Sequence, residues 1–138
     1  MGEAKAAADD AMSELKLPED AIVQEFGYDD DVDFDLRDRI EDLIGSQMLD
    51  EDDQDVVDAV LLWWRDGDGD LTDALVDSLG TLEEGGSIVL VTPTAGQDGE
   101  VDPAEVEEAA STAGLHTSGT TKCGPAWVAT RLVSPRNR

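Results

Sequence analysis

The feature that most constrains the fold is the stretch DVVDAVLLWW at residues 55–64, which is almost continuously apolar. Its length suits a strand that is covered on both faces, whereas a buried helix usually needs more residues. The stretch ends in RDGDGD, and a helical pattern begins at Leu71. A buried strand, a turn and a helix in this order are typical of a central strand in a parallel α/β sheet.

Composition limits the kind of protein that contains this strand. The 138 residues suffice for one domain, and 40% apolar content predicts a folded chain despite a net charge of -25. No apolar stretch reaches the ~18 residues of a membrane helix, and the acidic N-terminus does not read as a secretory signal. We expect a cytoplasmic protein with a partly frayed helix over residues 1–17, one α/β domain over 18–135 and a basic tail over 136–138.

Turn residues divide the rest of the chain into alternating elements. The predicted strands are residues 21–26, 55–64, 87–92, 116–122 and 126–133, with a short edge element near Met48 and Leu49. The predicted helices begin after the capping residues Asp33 or Asp35, Asp70 and Asp102, and end at Gly45, Gly80 and Gly114. The order β-α-β-α-β-α-β-β predicts a small, mostly parallel sheet with helices on both faces and an antiparallel C-terminal hairpin.

Two known families share sequence features with this chain. Residues 55–133 resemble the second half of the class I methyltransferase-like, Rossmann-like fold, through LEEGG at 82–86, IVLVTP at 88–93 and AGL at 113–115. Nearly the whole chain also resembles an uncharacterised actinobacterial family of short acidic proteins, the domain of unknown function DUF3052. Its matching segments are residues 23–25, 35–37, 56–68, 70–79 and 113–115. This second resemblance implies no established activity.

The turn after the first strand argues against a bound cofactor. A methyltransferase or dinucleotide-binding protein keeps glycines there so that its backbone can approach the ligand. Here the turn reads FGYDDD at residues 26–31, with one glycine followed by Tyr28 and three acids. Anionic groups that usually bind at such a helix start would meet like charge. We therefore expect no cofactor and a non-catalytic interaction or regulatory role. The alternative is a small-molecule-binding protein or an S-adenosylmethionine-dependent enzyme.

A ligand or partner crevice is expected beyond the carboxyl ends of the parallel strands. The candidate residues are Gly27, Tyr28, Asp29, Trp63, Trp64, Arg65, Asp66, Thr92 and Pro93. Trp63 and Trp64 point to opposite faces because strand side chains alternate. Either one indole lines the crevice with Arg65 as an anion anchor, or both are core residues and Arg65 neutralises nearby aspartates.

No catalytic or metal-binding residues are assigned. Asp66, Asp68, Asp70 and Asp77 have the spacing of calcium-loop ligands, but Leu71 occupies the position that requires glycine. The single Cys123 cannot form an internal disulfide, and with the single His116 it supplies too few ligands for the usual zinc sites.

Charge is distributed unevenly along the chain. Residues 29–58 contain fourteen acids, whereas residues 115–138 contain none and carry four cations. The acidic segment is either a solvated face, as a high-salt cytoplasm would also favour, or an interaction face. As an interaction face it predicts a protein partner with a basic surface, or self-association through segments 29–58 and 115–138. Duplex nucleic acid and anionic membranes should be repelled.

Overall fold

The computed structural model describes residues 15–123 and 125–134, so most of the helix predicted over 1–17, and the basic tail at 136–138, lie outside the described residues. The five strands are β1 (Val23–Phe26), β2 (Val57–Trp63), β3 (Leu82–Pro93), β4 (His116–Lys122) and β5 (Trp127–Val133). They form one open sheet in the order β1-β2-β3-β5-β4. The first three strands are parallel, and β5 is antiparallel to both β3 and β4. This confirms the predicted sheet and its C-terminal hairpin.

Three helices with bounds inside the described residues cover the two faces of the sheet. They are α1 (Phe34–Ile44), α2 (Leu71–Ser78) and α3 (Pro103–Thr112). The central strand β2 sends Leu61 and Trp63 to the face covered by α1, and Val60, Leu62 and the following Trp64 to the face covered by α2 and α3. A strand buried on both sides therefore explains the near-continuous apolar run.

The predicted helix starts are confirmed by their capping hydrogen bonds. Asp33, Asp70 and Asp102 are extended residues whose carboxylates accept from backbone N–H groups of the first helical turn. Gly45 ends α1 in the left-handed region at φ 77°, and its N–H donates to the Glu41 carbonyl. The i,i+4 pair of Asp35 and Arg39 also forms, with 2.9 Å between Arg39 Nε and Asp35 Oδ2.

Strand β3 begins at Leu82, five residues before the start predicted at Ser87. Gly85 and Gly86 lie within the strand and do not form a preceding turn. Pairing shifts from Val57–Leu82 to Ala59–Ser87, so β3 carries extra residues at this point. A Cβ on Gly86 would lie 2.7 Å from the Asp58 carbonyl oxygen. The two glycines therefore permit a bulge in which the backbones approach closely.

The segment between α1 and β2 returns to the outer edge of β1 through an isolated parallel bridge at Leu49. Glu25 N donates to Leu49 O at 2.8 Å, and Leu49 N donates to Val23 O at 2.9 Å. The buried Gln24 fixes the segment by donating to the carbonyls of Asp50 and Asp53, both at 2.9 Å. The predicted edge element near Leu49 is thus present as a single bridge.

This bridge places a topological switch point between β1 and β2. The chain leaves β1 toward Leu49 on one side and then returns to add β2 on the other side. In doubly wound sheets, ligands bind beyond the carboxyl ends of strands at such a point. Within residues 15–123 and 125–134, no helix has the length and apolar character needed to cross a membrane.

Candidate functional site

A cleft of about 560 Å³ lies at the switch point, beyond the carboxyl ends of β1 and β2. Six of the predicted residues line it, namely Gly27, Tyr28, Asp29, Trp63, Trp64 and Arg65. The other three lie away from it. Thr92 and Pro93 are buried opposite Val128 and Trp127 of β5, and Asp66 is exposed in the loop, where its N–H donates to Gly99 O at 2.8 Å. The cleft therefore belongs to β1 and β2 and does not include the end of β3.

Arg65 forms hydrogen bonds with two residues of the turn that follows β1. Its Nη1 donates to the Gly27 carbonyl at 2.9 Å, while Nε donates to Asp31 Oδ2 at 3.0 Å and Nη2 donates to the other Asp31 oxygen. Its backbone N–H donates to Asp68 Oδ2 at 3.0 Å, and its guanidinium lies 5.5 Å from the Trp127 ring centroid. This geometry agrees with the interpretation in which Arg65 neutralises neighbouring aspartates.

The Arg65–Asp31 pair stabilises the charged forms of both groups. The hydrogen bonds from Arg65 hold the pKa of the Asp31 carboxyl below its usual value, although partial burial opposes this shift. Burial also disfavours the charged guanidinium, but the hydrogen bond and negative charge of Asp31 outweigh this cost and raise the pKa of Arg65. The ion pair therefore persists across neutral pH.

Gly27 is required by strand packing. Its φ is +77°, and a Cβ there would lie 2.2 Å from the Trp63 carbonyl oxygen. The single glycine in the turn after β1 thus permits close contact between the ends of β1 and β2, and its carbonyl accepts from Arg65.

The two tryptophans lie on opposite faces of the sheet, as predicted. Trp63 is fully buried and packs edge-to-face on Trp127, with ring centroids 5.1 Å apart. Trp64 belongs to the core cluster on the other face and is 8% exposed where it lines the cleft. Both indoles are therefore core residues, and one of them also borders the cleft.

A buried carboxylate next to Trp63 was not anticipated from the sequence. Glu25 accepts from Trp63 Nε1 at 2.9 Å and from Arg37 Nε and Nη2 at 2.7 and 2.9 Å. This contact joins α1 to β1, whereas Glu41, four residues after Arg37 on the same helix, accepts from Met48 N at 2.9 Å. The sequence offered one indication of this buried carboxylate, because an acid lies within the short strand between Val23 and Phe26.

Arg37 also connects this buried pair to the surface. Hydrogen bonding to Glu25 raises the pKa of Arg37 despite its partial burial. Its guanidinium lies 4.9 Å from the Tyr28 ring centroid, and Tyr28 packs edge-to-face on Phe34 at 6.1 Å. Tyr28 and Phe34 are each about half exposed, at 50% and 49%, so an aromatic pair is presented at the side of the cleft.

The cleft combines an apolar floor with an acidic rim. Phe26, Leu62 and Trp64 supply the floor together with Ala74 of α2. The rim carries five acids, Asp29, Glu51, Asp52, Asp68 and Asp77. Among the described residues that line the cleft, Arg65 is the one cation, and its charge is balanced by Asp31 and Asp68. The site is therefore suited to cationic groups with an apolar part and disfavours anions.

Two of the four acids with calcium-loop spacing have other contacts in this structure. Asp68 bonds to Arg65, and Asp70 caps α2 by accepting from Asp73 N at 3.2 Å. Across the described ranges 15–123 and 125–134, no group of three or more His, Cys, Asp or Glu residues is arranged to hold a metal ion.

Cys123 is expected to be unreactive in the folded protein. Burial, reinforced by the charge of Asp33, raises its pKa to about 12, and His116 lies at the far end of β4, on the order of 20 Å away. Because the thiolate is the nucleophile, labelling with a disulfide reagent at pH 8 should be at least about a hundredfold slower in the native protein than in urea. Equal rates in the two states would show that the thiol is accessible and ionised.

Sequence comparison identifies relatives across almost the whole chain. The family described as "Protein of unknown function (DUF3052)" matches residues 12–136. An uncharacterised protein of Mycobacterium tuberculosis is 49% identical over 140 residues, which covers 99% of this chain and 88% of the relative. An uncharacterised protein of Mycobacterium bovis matches with the same identity and coverage.

Structural comparison identifies methyltransferases. Geranyl diphosphate C-methyltransferase from Streptomyces coelicolor superposes with a TM-score of 0.60 at 13% identity, covering 94% of this chain and 80% of that one. A SAM-dependent methyltransferase from Aquifex aeolicus has a TM-score of 0.54 at 10% identity, covering 91% and 88%. At these identities the likeness concerns the fold alone. The chain therefore belongs to the actinobacterial DUF3052 family of proteins of unknown function and has a Rossmann-like, methyltransferase-like fold.

Proposed function

We propose that this protein is a non-catalytic interaction or regulatory protein of the cytoplasm, built on a methyltransferase-like scaffold. The observation that carries the proposal is the closure of the turn after β1. Arg65 bonds to the Gly27 carbonyl and to Asp31 there, where a cofactor-binding relative would keep small residues and open backbone. A side chain of the protein thus makes the contacts in the turn that, in such a relative, are left to the ligand.

Electrostatics supports the same proposal. A helix that follows the first strand of a Rossmann-like sheet normally presents its positive N-terminus to an anionic group. Here α1 is capped by Asp33 and carries Asp35 in its first turn, while Asp29 lies on the cleft rim. The carboxylate of a methionine moiety or the phosphates of a nucleotide would meet several negative charges. A partner protein with a basic surface meets complementary charge instead.

Calorimetric titration tests the proposal. We expect no micromolar binding of S-adenosylmethionine, S-adenosylhomocysteine, NAD or ATP, because Arg65 and Asp31 make contacts in the turn after β1. The acidic rim also repels the phosphates of NAD and ATP. An active methyltransferase, titrated in the same buffer, provides the positive control. Micromolar binding of any of these ligands would overturn the proposal and support the alternative, a small-molecule-binding protein or S-adenosylmethionine-dependent enzyme that uses the crevice.

A further inference from the structure

We infer that the cleft, and not the acidic surface as a whole, is where a basic segment of a partner protein docks. This inference rests on the proposed function and specifies the surface and the chemistry of the partner. Its occupant is a peptide segment with arginine or lysine side chains.

The two parts of the cleft match the two parts of a basic side chain. Lysine and arginine carry an apolar stem that packs on apolar surface and a charged head that stays near water or an anion. The floor at Phe26 and Trp64 can accept the stems. The rim acids come from two separate elements, with Asp52 on the segment before β2 and Asp77 on α2. Neighbouring basic side chains of one segment can therefore reach separate carboxylates.

The rim acids are available for such contacts. Asp52 and Asp77 are exposed, and the cleft's own arginine is already balanced by Asp31 and Asp68. The half-exposed Tyr28 at the cleft edge adds aromatic contact area of the kind that is enriched in protein interfaces. Charge complementarity and an apolar floor thus coincide at one place.

A second copy of this chain is a poor occupant by the same reasoning. Hairpin β4–β5 contains no acids and could in principle meet the cleft. However, each copy carries a net charge of -25, so two copies repel each other wherever their acidic surfaces face. A head-to-tail contact of this kind would also continue from copy to copy without closing. A separate basic partner is favoured.

The test uses two synthetic peptides and the full chain. One peptide alternates arginine with alanine, and its matched control has glutamine in place of every arginine. Binding is measured by calorimetry at low and at physiological salt, and the contact residues are mapped by amide shifts in NMR. We expect the arginine peptide to bind, to weaken as salt rises, and to shift the amides of Phe26, Asp29 and Asp77. The glutamine peptide should not bind.

Two charge-matched variants separate the cleft from the general acidic surface. The cleft variant is Asp52→Asn/Asp77→Asn. The control is Asp38→Asn/Asp42→Asn, which removes two exposed acids from α1 on the other face of the sheet. We expect the cleft variant to weaken binding about fivefold or more and the control to change it less than about twofold.

If the two variants lost the same affinity for the arginine peptide, or if amide shifts were spread over the whole surface, the inference would be overturned. The peptide would then bind to the acidic surface in general and not to the cleft. Absence of peptide binding would also overturn it. These results are independent of the calorimetric test with S-adenosylmethionine, so failure of the docking site and failure of the proposed function are distinguished. A sedimentation coefficient that grows with protein concentration would point to a second copy as the occupant and would equally contradict the inference.

Discussion

Gly27→Ala is expected to lower the free energy of unfolding by about 3–5 kcal/mol. The alanine Cβ would lie 2.2 Å from the Trp63 carbonyl oxygen, and the residue would also have to remain at a φ of +77°. Neither atom belongs to a flexible side chain, so relief requires that the ends of β1 and β2 separate. Urea unfolding of the variant and the wild type, monitored by tryptophan fluorescence, measures the difference.

Gly45→Ala is the matched control for this prediction. Gly45 has the same φ of +77°, but the nearest atom to its added Cβ is an Asp20 carboxylate oxygen at 3.8 Å. Only the left-handed backbone conformation then disfavours alanine, so the free energy of unfolding should fall by about 1–2 kcal/mol. Equal losses at the two glycines would show that the contact with Trp63 adds nothing, and would contradict the interpretation of Gly27 as a packing glycine.

Arg37→Met is expected to lower the free energy of unfolding by about 2–4 kcal/mol. Glu25 is 7% exposed and Arg37 is 22% exposed, so removal of the arginine leaves a buried carboxylate with Trp63 Nε1 as its remaining side-chain donor. The loss of stability arises because Glu25 would keep a buried charge without its partner. This loss is reduced somewhat because Arg37 lies partly in solvent. Thermal and urea unfolding at neutral pH give the value.

A second substitution should recover part of this loss. In Arg37→Met/Glu25→Gln the buried charge is absent, and the glutamine can still accept from the indole N–H, so the double variant should be more stable than Arg37→Met alone. Asp35→Asn, which removes an exposed ion pair with Arg39 on the same helix, should cost less than about 1 kcal/mol. A double variant that is less stable than Arg37→Met would refute the buried-charge explanation.

The order and type of the elements could be predicted because each has a local cause. The apolar run in β2 follows from burial on both faces, and the three capping aspartates mark helix starts through contacts within one turn. The early start of β3 could not be predicted, because Gly85 and Gly86 are as compatible with a turn as with a bulge. The bulge brings Gly86 close to the Asp58 carbonyl of the neighbouring strand, and the sequence alone does not indicate this long-range contact.

The candidate site could be predicted in part for a similar reason. Strand ends of a parallel sheet meet at one edge, which is why Gly27, Tyr28 and Trp64 were found. Asp77 was assigned only to a calcium-loop spacing, and Asp52 was not singled out. The position of each beside the cleft depends on how α2 and the segment containing Leu49 pack laterally. The pairing of Glu25 with Arg37 likewise joins residues on separate elements, and no local rule selects it over Glu41.

The salt link from Arg65 to Asp31 has a thermodynamic consequence. An enzyme that keeps an open cofactor turn gains stability by mass action when its ligand is abundant, and loses that contribution when the ligand is scarce. Here a guanidinium belonging to the polypeptide bonds to the Gly27 carbonyl and to Asp31, so the chain itself holds this turn. If the protein binds no cofactor, as we propose, its folded population will not vary with the supply of such a ligand.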